Sequence, residues 1–232
     1  MRDLNYYKAL NCFDNEQLEQ IELGINADIP VHWYAKDIYN ARQMDYIRDA
    51  LVERLDASWL CNPKYNLGQM DEIFMGLSEN LYVAGFARDT LDYDQMKEIR
   101  EGLLNEINIF RYNKEYYDWE QMREIKEGLI MHLEIERYLD HTIGASDMRK
   151  IKESMMPSSI RDKHFDNFDE DINKQIIFGL ANGIDLMEFA VQDFDDEQLR
   201  EIRLGIEAGL DITRYAKKEI KSTEMRKIRL NM

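Results

Sequence analysis

The stretch QLREIRLGIEAGLDITRYA, residues 198–216, decides the fold. Leu199, Ile202 and Ile206 are spaced by three and then four residues, which puts them on one face of a helix. Gly209 stands where a left-handed residue closes a helix. Asp211 then opens a second, shorter segment that ends in Tyr215 and Ala216. In both directions along the chain the same pattern recurs at a nearly constant step. Repeats begin at Phe13, Tyr39, Tyr65, Leu91, Tyr117 and Ile143, each 26 residues from the last. The next begins one residue early, at Phe168, and the step of 26 resumes at Phe194 and Ile220. A repeat of this length is a supersecondary unit that buries its apolar face only against its neighbours.

Three columns define the first helix of each repeat. The most rigid is Ile21, Ile47, Ile73, Ile99, Ile125, Ile151, Ile176, Ile202 and Ile228. Three residues earlier stand Leu18, Met44, Met70, Met96, Met122, Met148, Leu199 and Met225, interrupted at Asn173. Four residues later stand Ile25, Leu51, Leu77, Leu103, Leu129, Met155, Leu180, Ile206 and Met232. The helix start is marked by Asp14, Asn40, Asn66, Asp92, Asp118 and Asp195, whose side chains accept from first-turn amides. Gln17, Gln43, Gln69, Gln95, Gln121 and Gln198 follow three residues later and complete capping boxes. The Gln-Met dipeptide therefore reads as a helix start.

Inside each helix runs a column of small residues: Gly24, Ala50, Gly76, Gly102, Gly128, Ser154, Gly179 and Gly205. Glycine in a helix costs about 1 kcal/mol relative to alanine, so something offsets it. The expected reason is the close approach of a neighbouring helix. Gly183 and Gly209 suit left-handed C-caps. In the second segment Asp56, Asn108, Asp185 and Asp211 are the caps, and Tyr34, Phe86, Tyr112, Tyr138, Phe189 and Tyr215 the buried aromatics. About seven residues are too few for a lone helix, so this one depends on stacking. The expected fold is all-α: an α-solenoid of tandem two-helix repeats, one longer and one short helix in each. It forms one repeat domain over residues 1–232, with 1–12 as an N-terminal cap.

The pattern Q-M-x-x-I-R-x-G-L followed by D-I-x-x-Y-A resembles an uncharacterised helical repeat of about 26 residues. That repeat occurs in phage and mobile-element proteins of Gram-positive gut bacteria, sometimes beside antirestriction-type domains. The resemblance covers nearly the whole chain. It implies a scaffold and carries no functional residue with it.

Apolar residues make up 44% of the chain and charged residues 33%, a folded protein and not an acidic disordered tail. With 11 Gly and 3 Pro the chain is too poor in turn formers for an all-β fold. No apolar run approaches the roughly 20 residues that span a bilayer. The opening MRDLNYYKALNC lacks the apolar stretch of a signal peptide. Cys12 and Cys61 are isolated, which suits a reducing compartment. A cytoplasmic protein without membrane contact is expected. The net charge of −16 repels phosphate, so direct nucleic-acid binding is not expected. The charge is uneven: from Phe194 to Met232 nine Lys/Arg face eight Asp/Glu, and residues 1–193 hold the remaining −17.

The repeat from Ile143 is irregular. Gly144 replaces the capping Asp, and Asp147 replaces the Gln. Pro157 ends the helix, and residues 156–167, MPSSIRDKHFDN, match no second helix. Ile172 and Asn173 then replace the Gln-Met pair. The segment is a hinge or decayed repeat, or else a contact loop presenting Ser158, Ser159, Arg161, Lys163 and His164. Away from the apolar columns stand Asp45, Asp49, Asp71, Glu72, Glu98, Glu101, Glu124 and Glu127. Stacking turns them into acidic rows, either a solvated face or a surface complementary to a basic partner. Trp33, Trp59, Tyr46 and Phe74 lie off the core columns, as binding anchors or as packing between repeats.

No convergent chemistry is legible. His32, His132, His141 and His164 have no ligand spacing, and neither cysteine has a nucleophile's context. There is no Gly-rich phosphate loop, and FDEDIN from Phe168 is only a faint echo of a calcium loop. No catalytic residue, metal ligand or cofactor is expected, and the chain is read as a non-enzyme. The leading expectation is a macromolecule-binding repeat protein: an acidic inhibitor or decoy of host-defence nucleic-acid-binding machinery, of anti-CRISPR or antirestriction type. One alternative is an adaptor or self-assembling structural repeat. Another is a small-molecule binder or enzyme with its site at the broken repeat, residues 156–173.

Overall fold

A computed structural model describes residues 2–163 and 165–232. The described residues form twelve α-helices and no strand. In order they are α1 (Leu4–Ala9), α2 (Asn15–Asn26), α3 (Ala41–Val52), α4 (Leu67–Ser78), α5 (Tyr93–Leu104) and α6 (Trp119–Ile130). There follow α7 (Ala145–Met155), α8 (Ser158–Arg161), α9 (Glu170–Ala181), α10 (Met187–Ala190), α11 (Asp196–Glu207) and α12 (Ser222–Leu230). Each long helix is the first helix of one repeat, and it packs on the helix of the next: α2 on α3, α3 on α4, α6 on α7, α9 on α11, α11 on α12. The fold is the expected all-α repeat solenoid. The chain divides into two compact halves, Met1–Leu103 and Leu104–Met232, so the boundary falls at the end of α5 and not in the irregular segment.

The capping boxes form as the sequence predicts. Asp14, Asn40, Asn66, Asp118 and Asp195 each accept from the amide of the Gln three residues on, whose side chain accepts from the cap's own amide. Asp92 and Gln95 make the same reciprocal pair, at 2.8 and 2.9 Å. The second segment is shorter than predicted. It is a single 3-10 turn, as at Val31–Trp33, Ala57–Leu60, Ile135–Arg137 and Ile212–Arg214, or the one-turn α10. Asp56, Asn108, Asp185 and Asp211 cap these turns through the amide two residues on. One turn cannot stand alone. It is held by the aromatic that follows: Tyr34, Phe86, Tyr112, Tyr138 and Tyr215 are completely buried, although Phe189 is only half-buried.

That aromatic corrects the reading of the small-residue column. A Cβ added at Gly24, Gly128 or Gly205 would lie 1.7, 1.8 or 1.7 Å from the hydroxyl of Tyr34, Tyr138 or Tyr215. Those hydroxyls donate to the carbonyls of Gln20, Glu124 and Glu201, at 3.1, 3.3 and 3.2 Å. Glycine is thus required by the tyrosine of its own repeat, which folds back over the helix, and not by a neighbouring helix. Where Ala50 replaces glycine, the tyrosine's place is taken by the smaller Leu60, also fully buried.

Every long helix that leads into such a turn ends on a left-handed residue. Gly183 (φ +76°) and Gly209 (φ +69°) fill that place as predicted. Elsewhere Asp28, Arg54, Asn80, Glu106 and His132 adopt the same conformation, with φ between 53° and 60°. The next amide then bonds back to the small-residue carbonyl, as in Leu55 to Ala50 (2.8 Å) and Leu210 to Gly205 (2.9 Å), a Schellman closure.

The irregular repeat has its own order. Gly144 gives α7 no side-chain cap. Beyond Pro157 the chain makes the single turn α8, which the repeat pattern does not contain. Asn173, the apparent defect in the Met column, is buried. Its side chain accepts from the Phe165 amide and donates to the carbonyls of Phe165, Phe168 and Asp169, at 2.8 to 3.2 Å. A methionine there removes the partner of the Phe165 amide and of the Phe168 carbonyl, so the substitution fixes the connecting segment.

Candidate interaction surface

Counting from the first residue of each repeat, position 8 of one repeat meets position 10 of the next, 28 residues on. Arg48 donates to Gln20, and the Tyr46 and Phe74 rings pack edge to face with centroids 6.1 Å apart. Arg100 pairs with Glu72 at 2.6 Å. In the C-terminal half Lys152 pairs with Glu124 at 2.5 Å, and Arg229 with Glu201 at 2.9 Å. All six of these charged side chains are nearly inaccessible to solvent. They form a buried ladder that runs from repeat to repeat. A second ladder comes from the capping glutamines, whose amide groups reach the next repeat's first carbonyl. Gln17 donates to Tyr39, Gln43 to Tyr65, Gln69 to Leu91, Gln121 to Ile143 and Gln198 to Ile220, at 2.6 to 2.9 Å.

The first ladder overturns part of the predicted acidic surface. Glu72, Glu98 and Glu124 are not on a solvated face but buried at position 8. Reading the surface by subtraction fails here because Glu72 and Glu124 are matched by Arg100 and Lys152, cations of the following repeat. The signal was present in the sequence: Glu72, Glu98, Glu124 and Glu201 each precede Arg100, Lys126, Lys152 and Arg229 by 28 residues. Glu127 is bound by Lys152 as well. Burial disfavours its charge, but the Lys152 ammonium outweighs this and holds its carboxyl below the usual range. Burial likewise opposes the charged Arg229, and Glu106 and Glu201 outweigh it to hold the guanidinium protonated beyond its usual range.

Four of the predicted carboxylates keep partial access to solvent in the N-terminal half. Arg48 binds Asp45 and Asp49 (2.5 and 2.6 Å), Asp71 accepts from the Tyr46 hydroxyl (3.1 Å), and Glu101 is half-buried. Tyr46 and Phe74 are spent on the ladder, whereas Trp33 is half-buried and Trp59 is exposed on its turn. Of the irregular-loop residues, Ser158, Ser159, Arg161 and Lys163 are exposed. Arg161 is paired with Asp162 at 2.9 Å, and Lys163 lies over the Phe165 ring, which leaves little free positive charge there. His164 lies outside the described residues.

Sequence reading missed the face built by positions 11 and 14, near the C-terminal ends of the long helices. In the N-terminal half Leu23, Val52 and Met75 are 44, 52 and 36% exposed there. Their counterparts Ile130, Phe178 and Leu204 in the C-terminal half are at 3, 7 and 6%, whereas Leu230 in the last repeat is 58% exposed. Ile130, Met131 and Phe178 form one apolar cluster. Around it Asn182 donates to the Ile130 carbonyl (2.9 Å) and Arg203 to Asn105 (2.5 Å). Arg229 reaches Glu106 at 2.8 Å, and the Arg203 guanidinium lies 5.9 Å from the Phe178 ring centre. These contacts join residues up to 123 apart, so the C-terminal half does more than stack adjacent repeats.

No known family model, curated protein or solved structure matches the chain. Its chemistry is therefore read from its own side chains. Cys12 is exposed, and burial pushes the Cys61 thiol up. His132 serves the left-handed turn after α6, and His141 lies against the Tyr116 ring. Among the described residues no group of three His, Cys, Asp or Glu side chains is placed to hold a metal ion, and no helix is long and apolar enough to cross a membrane.

Proposed function

We propose that this protein is a non-catalytic binding module whose acidic N-terminal half docks a basic macromolecular partner. The observation that carries this reading is the charge left over once the ladder is accounted for. Residues 1–103 hold 19 Asp/Glu against 10 Lys/Arg, and residues 104–232 hold 27 against 20. Asp45, Asp49 and Asp71 stay accessible on the more acidic half, while the buried carboxylates have partners. Such a surface attracts a basic groove and repels nucleic acid. Together with the resemblance to a phage and mobile-element repeat, it supports an inhibitor or decoy of host-defence machinery that handles nucleic acid. The purified chain, immobilised and exposed to host lysate at low and then high salt, should capture a basic nucleic-acid-binding protein and release it as salt rises. Capture unchanged by high salt overturns the reading. Recovery of the protein itself alone favours a self-assembling structural role.

A further inference from the structure

The two halves use positions 11 and 14 differently, and the closed face shows what the open one accepts. In the C-terminal half the face is closed over Ile130, Phe178 and Leu204, while the last repeat leaves its Leu230 exposed. Arginines flank them. Arg203 lies over Phe178 and donates to Asn105 at position 15, and Arg229 donates to Glu106 at position 16. An apolar ridge edged with guanidinium groups is thus the chemistry that this face of the repeat receives. The N-terminal half presents the same positions uncovered, with Leu23, Val52 and Met75 exposed. It also offers acceptors at the matching places, Glu53 at position 15 and Asp28 at position 16, both exposed.

We infer that this open face is the docking site for an amphipathic basic helix of a partner protein, its apolar side chains on Leu23, Val52 and Met75 and its arginines toward Asp28 and Glu53. The inference rests on the proposed binding function and adds the site and the form of the partner. Charge complementarity selects the occupant, because the flanking carboxylates repel nucleic acid and anionic lipid alike. A second copy of the chain fits poorly, since its own Arg203 and Arg229 are buried and already bonded. Helix-in-groove binding of this kind reads the partner at spacings of three, four and seven residues.

The test uses a labelled synthetic peptide with leucines at those spacings flanked by arginines, and a scrambled peptide of the same composition. Both are titrated into the full chain at low salt and followed by fluorescence anisotropy. The amphipathic peptide should bind at least about tenfold more tightly than the scrambled one. The triple variant Leu23→Ser/Val52→Ser/Met75→Ser should lose at least about that factor, while Ile38→Ser, exposed in the loop before α3, should leave binding unchanged. Thermal unfolding of each variant checks its fold, and the two peptides on the unaltered chain decide the matter even if the triple variant is unstable. Equal binding of both peptides, insensitive to the triple variant, overturns the docking face and leaves the proposed function standing. Binding of neither peptide overturns both.

Discussion

Val52 and Ile130 occupy the same position of their repeats and have opposite surroundings. Val52 ends α3 facing solvent, whereas Ile130 ends α6 inside an apolar cluster and gives its carbonyl to Asn182. Helix starts, Met and Ile columns, turn aromatics and ladders follow one plan in both halves. What differs is the traffic across the far ends of the helices. After the irregular segment the chain reaches back over earlier repeats, through Asn182, Arg203 and Arg229. The consensus columns therefore determine how each repeat grips the next, and the variable positions 11, 14 and 15 determine whether the exposed ends stay open or close. Stacking belongs to the consensus. The available surface belongs to the departures from it.

The sharpest way to break this comparison is through the ladder. Arg229→Met leaves the fully buried Glu201 with only the longer contact to Arg200 (3.4 Å) and should destabilise the protein by about 3 kcal/mol. The matching change in the N-terminal half, Arg48→Met, faces a neutral Gln20 and two partly exposed aspartates, and should cost about 1 kcal/mol. The double variant Glu201→Leu/Arg229→Met should recover much of the loss, because removing both charges removes the penalty of burying one alone. Urea unfolding measures all three. Equal losses for Arg229→Met and Arg48→Met would show that burial, and not pairing, sets the strength of each rung.

A second pair of variants tests the two faces directly. Ile130→Asp places an unpaired carboxylate in an apolar cluster and should lower stability by about 3 kcal/mol. Val52→Asp puts the same group at the same position in solvent and should stay within about 0.5 kcal/mol. If both variants melt alike in a thermal scan, the open face of the N-terminal half is not open in solution.

Most of the fold was legible because each of its causes is local and repeated. Capping boxes, a helical apolar stripe and a left-handed closing residue act within one repeat, and nine copies make each column visible. The glycine column was visible too, but its cause was misread. A requirement for space is clear from the residue type, while the tyrosine hydroxyl that fills the space lies ten residues away. The buried carboxylates were misplaced for a related reason. Periodicity along one helix marks Glu72 as polar, and only the pairing with Arg100 in the next repeat shows it to be buried. Contacts such as Arg229 with Glu106 had no periodic signal, because they join repeats at no fixed spacing. The candidate surface was therefore half legible: its charge can be counted from the sequence, but its open apolar face depends on long-range closure elsewhere.

The left-handed closing residue gives the smallest and cleanest comparison. Gly209 holds that place in the C-terminal half and Arg54 in the N-terminal half, with φ +69° and +60°. An L-residue in this conformation is disfavoured by roughly 1–2 kcal/mol, because Cβ crowds the following carbonyl oxygen. Glycine avoids the clash but loses about 0.5–1 kcal/mol more in conformational entropy on folding. The difference favours glycine, so Arg54→Gly should stabilise the protein by about 0.5–1 kcal/mol, and Gly209→Ala should destabilise it by about as much. Both sites are exposed, and the Schellman bonds they support are made by backbone, so neither change disturbs a side-chain partner. Opposite shifts in the urea midpoint, at unchanged slope, are expected. A loss of stability in Arg54→Gly would mean that the arginine's side chain, and not its backbone, closes α3.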